Sequence, residues 1–226
     1  LGENVLPAYT EQMVELEMSD VQRGVYDNLS MGLRDDLRRA LAQGDRTLMG
    51  VVLNALLAWP DCCFTPMEFR HPRSRKVLAS TDCIFDAEEW SPKELELLDI
   101  CKTRKAQGRK VLVYSTYTQT RDTTSRLKRM LEINGFKVAV LKSSVAADKR
   151  EDWLLEQVDR GIEVVITNPE LVKTGLDMLE FPTIVFMQTG FNVYTVQQAA
   201  RRSWRIGQKV DVEVLFLGYT KSTQTE

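Results

Sequence analysis

The segment Gln197-Gln198-Ala199-Ala200-Arg201-Arg202-Ser203-Trp204-Arg205-Ile206-Gly207-Gln208 carries the densest chemistry in the chain. Arg202 and Arg205 are three residues apart, which on a helix puts both guanidiniums on one face, with Gly207 placed to end the helix and Gln208 just beyond. Two guanidiniums aimed the same way from the open end of a sheet suit the stabilisation of charge on a phosphoryl group held by a neighbouring domain. An Arg-rich helix is also commonly a solvated basic face, so the surrounding residues must decide. Other clusters are poorer. Cys62, Cys63, His71 and Cys83 fit no zinc spacing and read as ordinary thiols and an isolated imidazole, with no metal site expected. Asp86-Ala87-Glu88-Glu89 follows no long apolar strand and reads as a cap or a solvated loop. No Gly-x-Gly-x-x-Gly follows a strand, and none of the twelve Gly precedes a Lys. The backbone cradle of a phosphate-binding loop is therefore missing, and the chain is not a self-sufficient NTPase.

The elements that position these residues are regular in the second half. Lys110–Ser115, Lys137–Leu141, Glu163–Thr167, Thr183–Gln188 and Asp211–Leu217 read as strands. Helices are predicted over 120–134, 146–160 and 195–205, with Gly135 and Gly161 closing the first two. Ser91-Pro92-Lys93-Glu94 has the form of a capping box, with Pro at the first helical position of a helix running to about Gln107. Strands apolar on both faces and alternating with helices imply an α/β fold with a parallel sheet covered on both sides. Ligands of such sheets bind beyond the carboxyl ends of the strands, which points to the polar segments 115–120, 142–145, 167–177, 188–192 and 206–209.

The first 60 residues read differently. An alternating strand over 11–18 is followed by a helix capped at Ser19 or Asp20 and running to Gln43, with Val21, Val25, Leu29, Leu33 and Leu37 on one face. A second helix, from Asp45 to Trp59, should be ended by Pro60. Residues 60–90 show no sustained periodicity and are expected to be a long loop or insertion.

The chain has 226 residues with 30 Lys+Arg against 32 Asp+Glu, so no global basic field marks it as a nucleic-acid binder. Local charge differs: residues 1–60 hold nine acidic and five basic side chains, residues 121–150 eight basic and three acidic. The second stretch is a candidate DNA-facing patch. Four Cys in a chain of this length favour a reducing compartment. No apolar run approaches the ~20 residues of a membrane span, so no membrane partner is expected. The N-terminus has neither Met nor signal-peptide features and reads as the start of a piece cut from a longer polypeptide.

Taken together, these residues resemble the second RecA-like lobe of a superfamily 2 helicase, nearest the SNF2 branch of DNA translocases. Gln198-Ala199 through Gln208 reproduces the motif VI pattern Gln-Ala-x-x-Arg-x-x-Arg-Ile-Gly-Gln without a gap, although Arg201 replaces its common Gly. Val111–Thr118 is similar to motif IV, Leu141-Lys142-Ser143-Ser144 to the segment after it, Arg150 to the Arg of Glu-Arg-Gln, and Gly175-Leu176-Asp177 to the end of motif V. The resemblance implies a RecA-like parallel sheet with helices on both faces, preceded by a helical N-terminal extension. Residues 1–90 would join a first lobe to this one, and residues 91–226 would form the second lobe. It implies that Arg202 and Arg205 act as catalytic arginine fingers, and that Gly175, Asp177, Gln198 and Gln208 lie at the ATP site. Ser115, Thr116, Thr118, Thr167, Asn168, Lys173 and Thr174 would contact DNA, expected to be double-stranded. ATP and Mg2+ would be bound mainly by lobe 1 of the same polypeptide, and the isolated lobe would be inactive. The compartment would be the cytoplasm, at the nucleoid, in a bacterium and the nucleus in a eukaryote. The alternative from another class is a non-catalytic RecA-like scaffold or nucleic-acid-binding module. An RNA-directed helicase is disfavoured by the Ile206-Gly207-Gln208 ending.

Overall fold

A computed structural model describes residues 5–116, 121–172 and 175–226. The chain divides into two compact units, Leu1–Val14 with Lys93–Gly218 and Glu15–Pro92 with Tyr219–Glu226.

The first unit is built on a sheet whose strands, in chain order, are β1 (Tyr9–Leu16), β4 (Val111–Tyr114), β5 (Val138–Leu141), β6 (Val164–Thr167), β7 (Thr183–Phe186) and β8 (Val212–Tyr219). They lie in the order β1-β8-β7-β4-β6-β5. The pairs β4–β6, β4–β7, β5–β6 and β7–β8 are parallel. Strands β4, β6 and β7 are buried at every position, as expected of strands covered on both faces. The helices are α3 (Pro92–Ala106), α4 (Thr123–Ile133), α5 (Arg150–Asp159) and α6 (Val193–Ala200).

Chain order reverses between β4 and β7. From β4 the chain continues to β5 and β6 on one side, whereas β7 leads to β8 on the other. A crevice opens where such crossovers diverge, beyond the carboxyl ends of the strands. Its floor is aromatic. Tyr114 and Phe186, opposite each other in the register, have ring centroids 5.0 Å apart, and Phe186 also packs on Phe191 at 5.2 Å and Phe216 at 5.0 Å. Tyr114 is fully buried, which pushes its phenol pKa up, and its hydroxyl donates to Ala199 O at 3.3 Å. The last turn of α6 is thereby fixed above the sheet.

The second unit contains α1 (Asp20–Ala42), α2 (Leu48–Ala58) and a hairpin of β2 (Met67–Arg70) and β3 (Val77–Thr81). Ser19 caps α1 in a reciprocal box with Gln22, as the sequence predicts. The buried stripe is Gln22, Tyr26, Leu29 and Leu33, while Val21 is exposed. At 100° per residue a strict four-residue repeat drifts by 40° each step, so the predicted row leaves the core at its N-terminal end. After α2 the chain tightens into a 3-10 turn, Trp59–Asp61, which carries Pro60 inside it instead of stopping before it. The expected irregular insertion over 60–90 holds the antiparallel hairpin. Met67 and Phe69 are buried between exposed Glu68 and Arg70. The run has only four residues, bulges at Phe69/Arg70 and is flanked by Pro66 and Pro72, so its alternation is too short to register as a period. Among the described residues no helix is long and apolar enough to cross a membrane.

Candidate nucleotide and nucleic-acid sites

Asn192 starts α6 by accepting from Thr195 N through its side chain at 2.8 Å. The sequence predicts that this helix runs to Arg205, but it ends at Ala200. The cause is local. Arg202 turns its guanidinium back and donates from Nε to Gln198 O at 2.9 Å and from Nη2 to Gln198 Oε1 at 3.1 Å. The backbone tightens at the same point, with Arg202 N donating to Ala199 O and Ser203 N to Ala200 O. Arg202 and Arg205 therefore sit on an irregular turn, not on one helical face.

The two arginines are held differently. Arg202 is buried at 8% exposure, and its carbonyl accepts from Met178 N at 2.7 Å. Arg205 forms an ion pair with Asp177, and both side chains are more than two-fifths exposed. Gly175 adopts φ 101°, a conformation costly for a side chain-bearing residue, and a Cβ there would meet Arg202 Nη1 at 3.5 Å. Gln208 fixes the end of the turn: its Nε2 donates to Ser203 O at 2.8 Å and Leu179 O at 3.1 Å, and its Oε1 accepts from Lys209 N and Val210 N. Trp204 anchors the other side by donating from Nε1 to Pro7 O at 3.0 Å and packing against Tyr9 at 4.7 Å. A cleft of about 510 Å³ is lined by Leu6, Arg201, Arg202, Trp204, Arg205 and Ile206. Guanidiniums on an open wall fit the anionic end of a nucleotide.

A second cleft, of about 500 Å³, lies at the carboxyl ends of β5 and β6, where Thr124, Ser125, Lys128, Lys142, Thr167 and Asn168 contribute to its wall. Thr167 is buried, and its hydroxyl donates to Leu141 O at 3.1 Å. Ser115 is also buried, with its hydroxyl 3.0 Å from that of Thr123. Thr116 and Asn168 are partly exposed. Gln188, which sequence reading did not assign to a role, bridges the crevice by accepting from Thr116 N at 3.0 Å. Thr124 was missed as well. Among the described residues its buried hydroxyl has no hydrogen-bond partner, and the polar run Asp122-Thr123-Thr124-Ser125 beside a helix start was the available signal. Thr118, Lys173 and Thr174 lie outside the described residues.

Several members of the basic stretch 121–150 have structural partners, Lys128 among them through Glu132 at 3.8 Å. Arg126 pairs with Glu94 at 2.7 Å, both nearly buried, and Arg150 donates to Val145 O and Leu171 O at 3.0 Å.

Residues 92–207 match the family model of the helicase conserved C-terminal domain, which spans just over half the chain. The chain belongs to the helicase C-terminal domain family. As a helicase C-terminal lobe it is homologous to ATPase lobes of SNF2 type. It is 26% identical over 229 residues to the transcription regulatory protein SNF2 of Saccharomyces cerevisiae, covering 98% of this chain and 13% of that protein. It is 23% identical over 214 residues to the human chromodomain-helicase-DNA-binding protein 1, covering 94% of this chain and 12% of that protein. The crystal structure of the C-terminal part of the Fun30 ATPase domain superposes with a TM-score of 0.73 at 19% identity, covering 96% of this chain and 87% of that one. The chain thus spans about an eighth of the length of these curated relatives.

Proposed function

We propose that this helicase C-terminal lobe is the second motor lobe of an ATP-dependent, SNF2-like DNA translocase, and that it works with a first lobe of the same polypeptide. The observation that carries this reading is the arginine-lined cleft in a chain of this family. ATP, with Mg2+ assigned to lobe 1, supplies the phosphoryl group to be transferred to water. Arg202, clamped by Gln198 and given room by Gly175, presents fixed positive charge. Arg205 is the mobile member. A half-exposed ion pair is worth only ~0–1 kcal/mol, so Arg205 leaves Asp177 at little cost when a phosphate oxygen offers a stronger partner. Asp177 thus acts on nucleotide through Arg205, and Gln208 acts by holding the turn that carries both arginines. An arginine finger contributes roughly 10³–10⁵ in kcat, or about 4–7 kcal/mol of barrier.

Thr116 and Asn168 are assigned to DNA phosphates, with Ser115 and Thr167 supporting the rim from beneath. Short hydroxyl and amide side chains fix register on a duplex without reading bases. The isolated lobe is expected to hydrolyse no ATP, because the phosphate cradle lies elsewhere. The test is ATP hydrolysis by the full-length protein with duplex DNA, single-stranded DNA, RNA or no polymer. Stimulation greatest with duplex DNA supports the translocase. Hydrolysis indifferent to every polymer supports a scaffold role instead.

A further inference from the structure

Neither cleft uses the densest run of positive charge on the second unit. Between Phe69 and Thr81 the chain carries Arg70, Arg73, Arg75 and Lys76 and no acidic residue. This hairpin tip is built, not loose. His71 N donates to Lys76 O at 2.8 Å, Arg75 N donates to His71 O at 3.0 Å, and His71 Nδ1 accepts from the backbone N of Arg73 and Ser74. Arg75 takes a left-handed φ of 62° to close the turn. Arg70 is spent on the framework, donating to Arg75 O at 2.8 Å and pairing with Glu68 at 2.7 Å. Arg73, Arg75 and Lys76 are exposed, and no carboxylate pairs with any of them among the described residues. Arg46 joins Arg73 in the wall of an adjoining cleft, which also contains Asp45. The Asp45 carboxyl is held below its usual range chiefly by hydrogen bonds from Thr47, with smaller contributions from His71 and Arg73.

The nearby helix shows what an ordinary charged surface looks like in this protein. On α1, Arg23, Arg38 and Arg39 each pair with an aspartate one turn away. Those charges cancel locally and leave little field. The tip does the reverse, in a chain whose overall charge is −2. Residues 70–77 also carry no Trp or Tyr of the kind enriched in protein–protein hot spots. A row of cations held by the hairpin's own hydrogen bonds, with no salt bridge to a carboxylate among the described residues, instead matches a regular polyanion, and duplex DNA presents a negative charge about every 1.7 Å of axis.

We propose that the β2–β3 tip is a second DNA contact, at which Arg73, Arg75 and Lys76 grip the phosphodiester backbone of a duplex without reading its bases. The proposal rests on the DNA-translocase reading above. Its test is duplex-DNA affinity of the full-length protein across a salt series, for wild type and a variant combining Arg73→Gln, Arg75→Asn and Lys76→Gln. Asn is chosen at 75 because it tolerates a left-handed backbone. Each phosphate contact contributes about 0.9 to the log–log salt slope, so losing three should flatten it by about 2 to 3. ATP hydrolysis without DNA should not change. A charge-retaining variant, Arg73→Lys with Lys76→Arg, should keep the wild-type slope and thereby exclude simple misfolding of the tip. An unchanged slope in the neutralised variant would overturn the proposal, as would weaker binding with no change in slope. If wild type itself neither binds duplex DNA nor is stimulated by it, the translocase reading has failed, not merely the tip.

Discussion

The two ends of the sheet use the same residue types in opposite ways. At the amino end, charge is spent inside the structure. Arg104 Nε donates to Glu213 Oε1 at 2.5 Å, Thr183 Oγ1 donates to the same oxygen at 2.8 Å, and Arg109 donates to Thr183 Oγ1, Pro182 O and Asp211 O. Lys105 meets Glu163 at 2.8 Å, and Lys110 donates to Ile162 O. At the carboxyl end, among the described residues, Arg205 pairs half-exposed with Asp177, and the buried hydroxyl of Thr124 has no hydrogen-bond partner. Stability is concentrated where polar groups are satisfied. Reactivity belongs where they are held in place and left able to change partner.

The sharpest break of this comparison is expected from the arginines. Arg205→Ala should lower the DNA-stimulated kcat of the full-length protein by about 10³–10⁵ while shifting stability by no more than about 0.5 kcal/mol, as for an ordinary surface substitution. Arg202→Ala should cost activity and stability together, because its guanidinium also closes the end of α6. Urea unfolding beside steady-state kinetics separates the two.

At the other end the order should reverse. Glu213→Gln should destabilise by about 1–3 kcal/mol, since it weakens hydrogen bonds to a charged acceptor, and should leave kcat per folded molecule unchanged. Burial pushes the Glu213 carboxyl up. Hydrogen bonds from Arg104 and Thr183, with the charges of Arg104 and Arg109, outweigh that and hold it below its usual range. Glu163 is lowered in the same way: burial raises it, but bonds from Lys105 and Lys137 and the charges of Lys105 and Lys110 prevail. A carboxyl whose folded pKa is depressed stabilises fully above its unfolded value of about 4.3 and loses that contribution as pH falls through the lower folded value. Thermal unfolding of wild type should therefore weaken with acid below about pH 4.3, and Glu213→Gln should show a shallower loss over the same range.

Smaller effects sharpen the account of the carboxyl end. Asp177→Asn should release Arg205 and lower the KM for ATP by up to about fivefold, the equivalent of one surface ion pair; a raised KM would mean that Asp177 touches nucleotide directly. Thr124→Val removes a buried hydroxyl that has no partner among the described residues, so unfolding measurements should find it neutral or stabilising by up to about 1 kcal/mol.

Much of this was legible in sequence, for local reasons. Apolar runs bounded by Gly135 and Gly161 marked the strands and the helices between them; the i, i+3 spacing drew attention to Arg202 and Arg205, but the shared helical face it implied is absent. What escaped depended on contacts remote in sequence or on a side chain overruling its own backbone. The pairing of β1 beside β8 joins residues some two hundred positions apart, with Val212 N donating to Ala8 O at 2.9 Å. The end of α6 at Ala200 follows from where the Arg202 guanidinium turns, which periodicity does not encode. The β2–β3 hairpin was hidden by its bulge and short strands. Gln188 and Thr124 stood out only once β4 and β7 were neighbours and the cleft beside α4 had walls.

The central claim is that Arg205 supplies charge to ATP across a cleft completed by another lobe. Its most direct test is kcat for ATP hydrolysis by the full-length protein at saturating duplex DNA, comparing wild type with Arg205→Ala at matched stability. A fall of at least about 10³ is the predicted result; a rate within tenfold of wild type would contradict it.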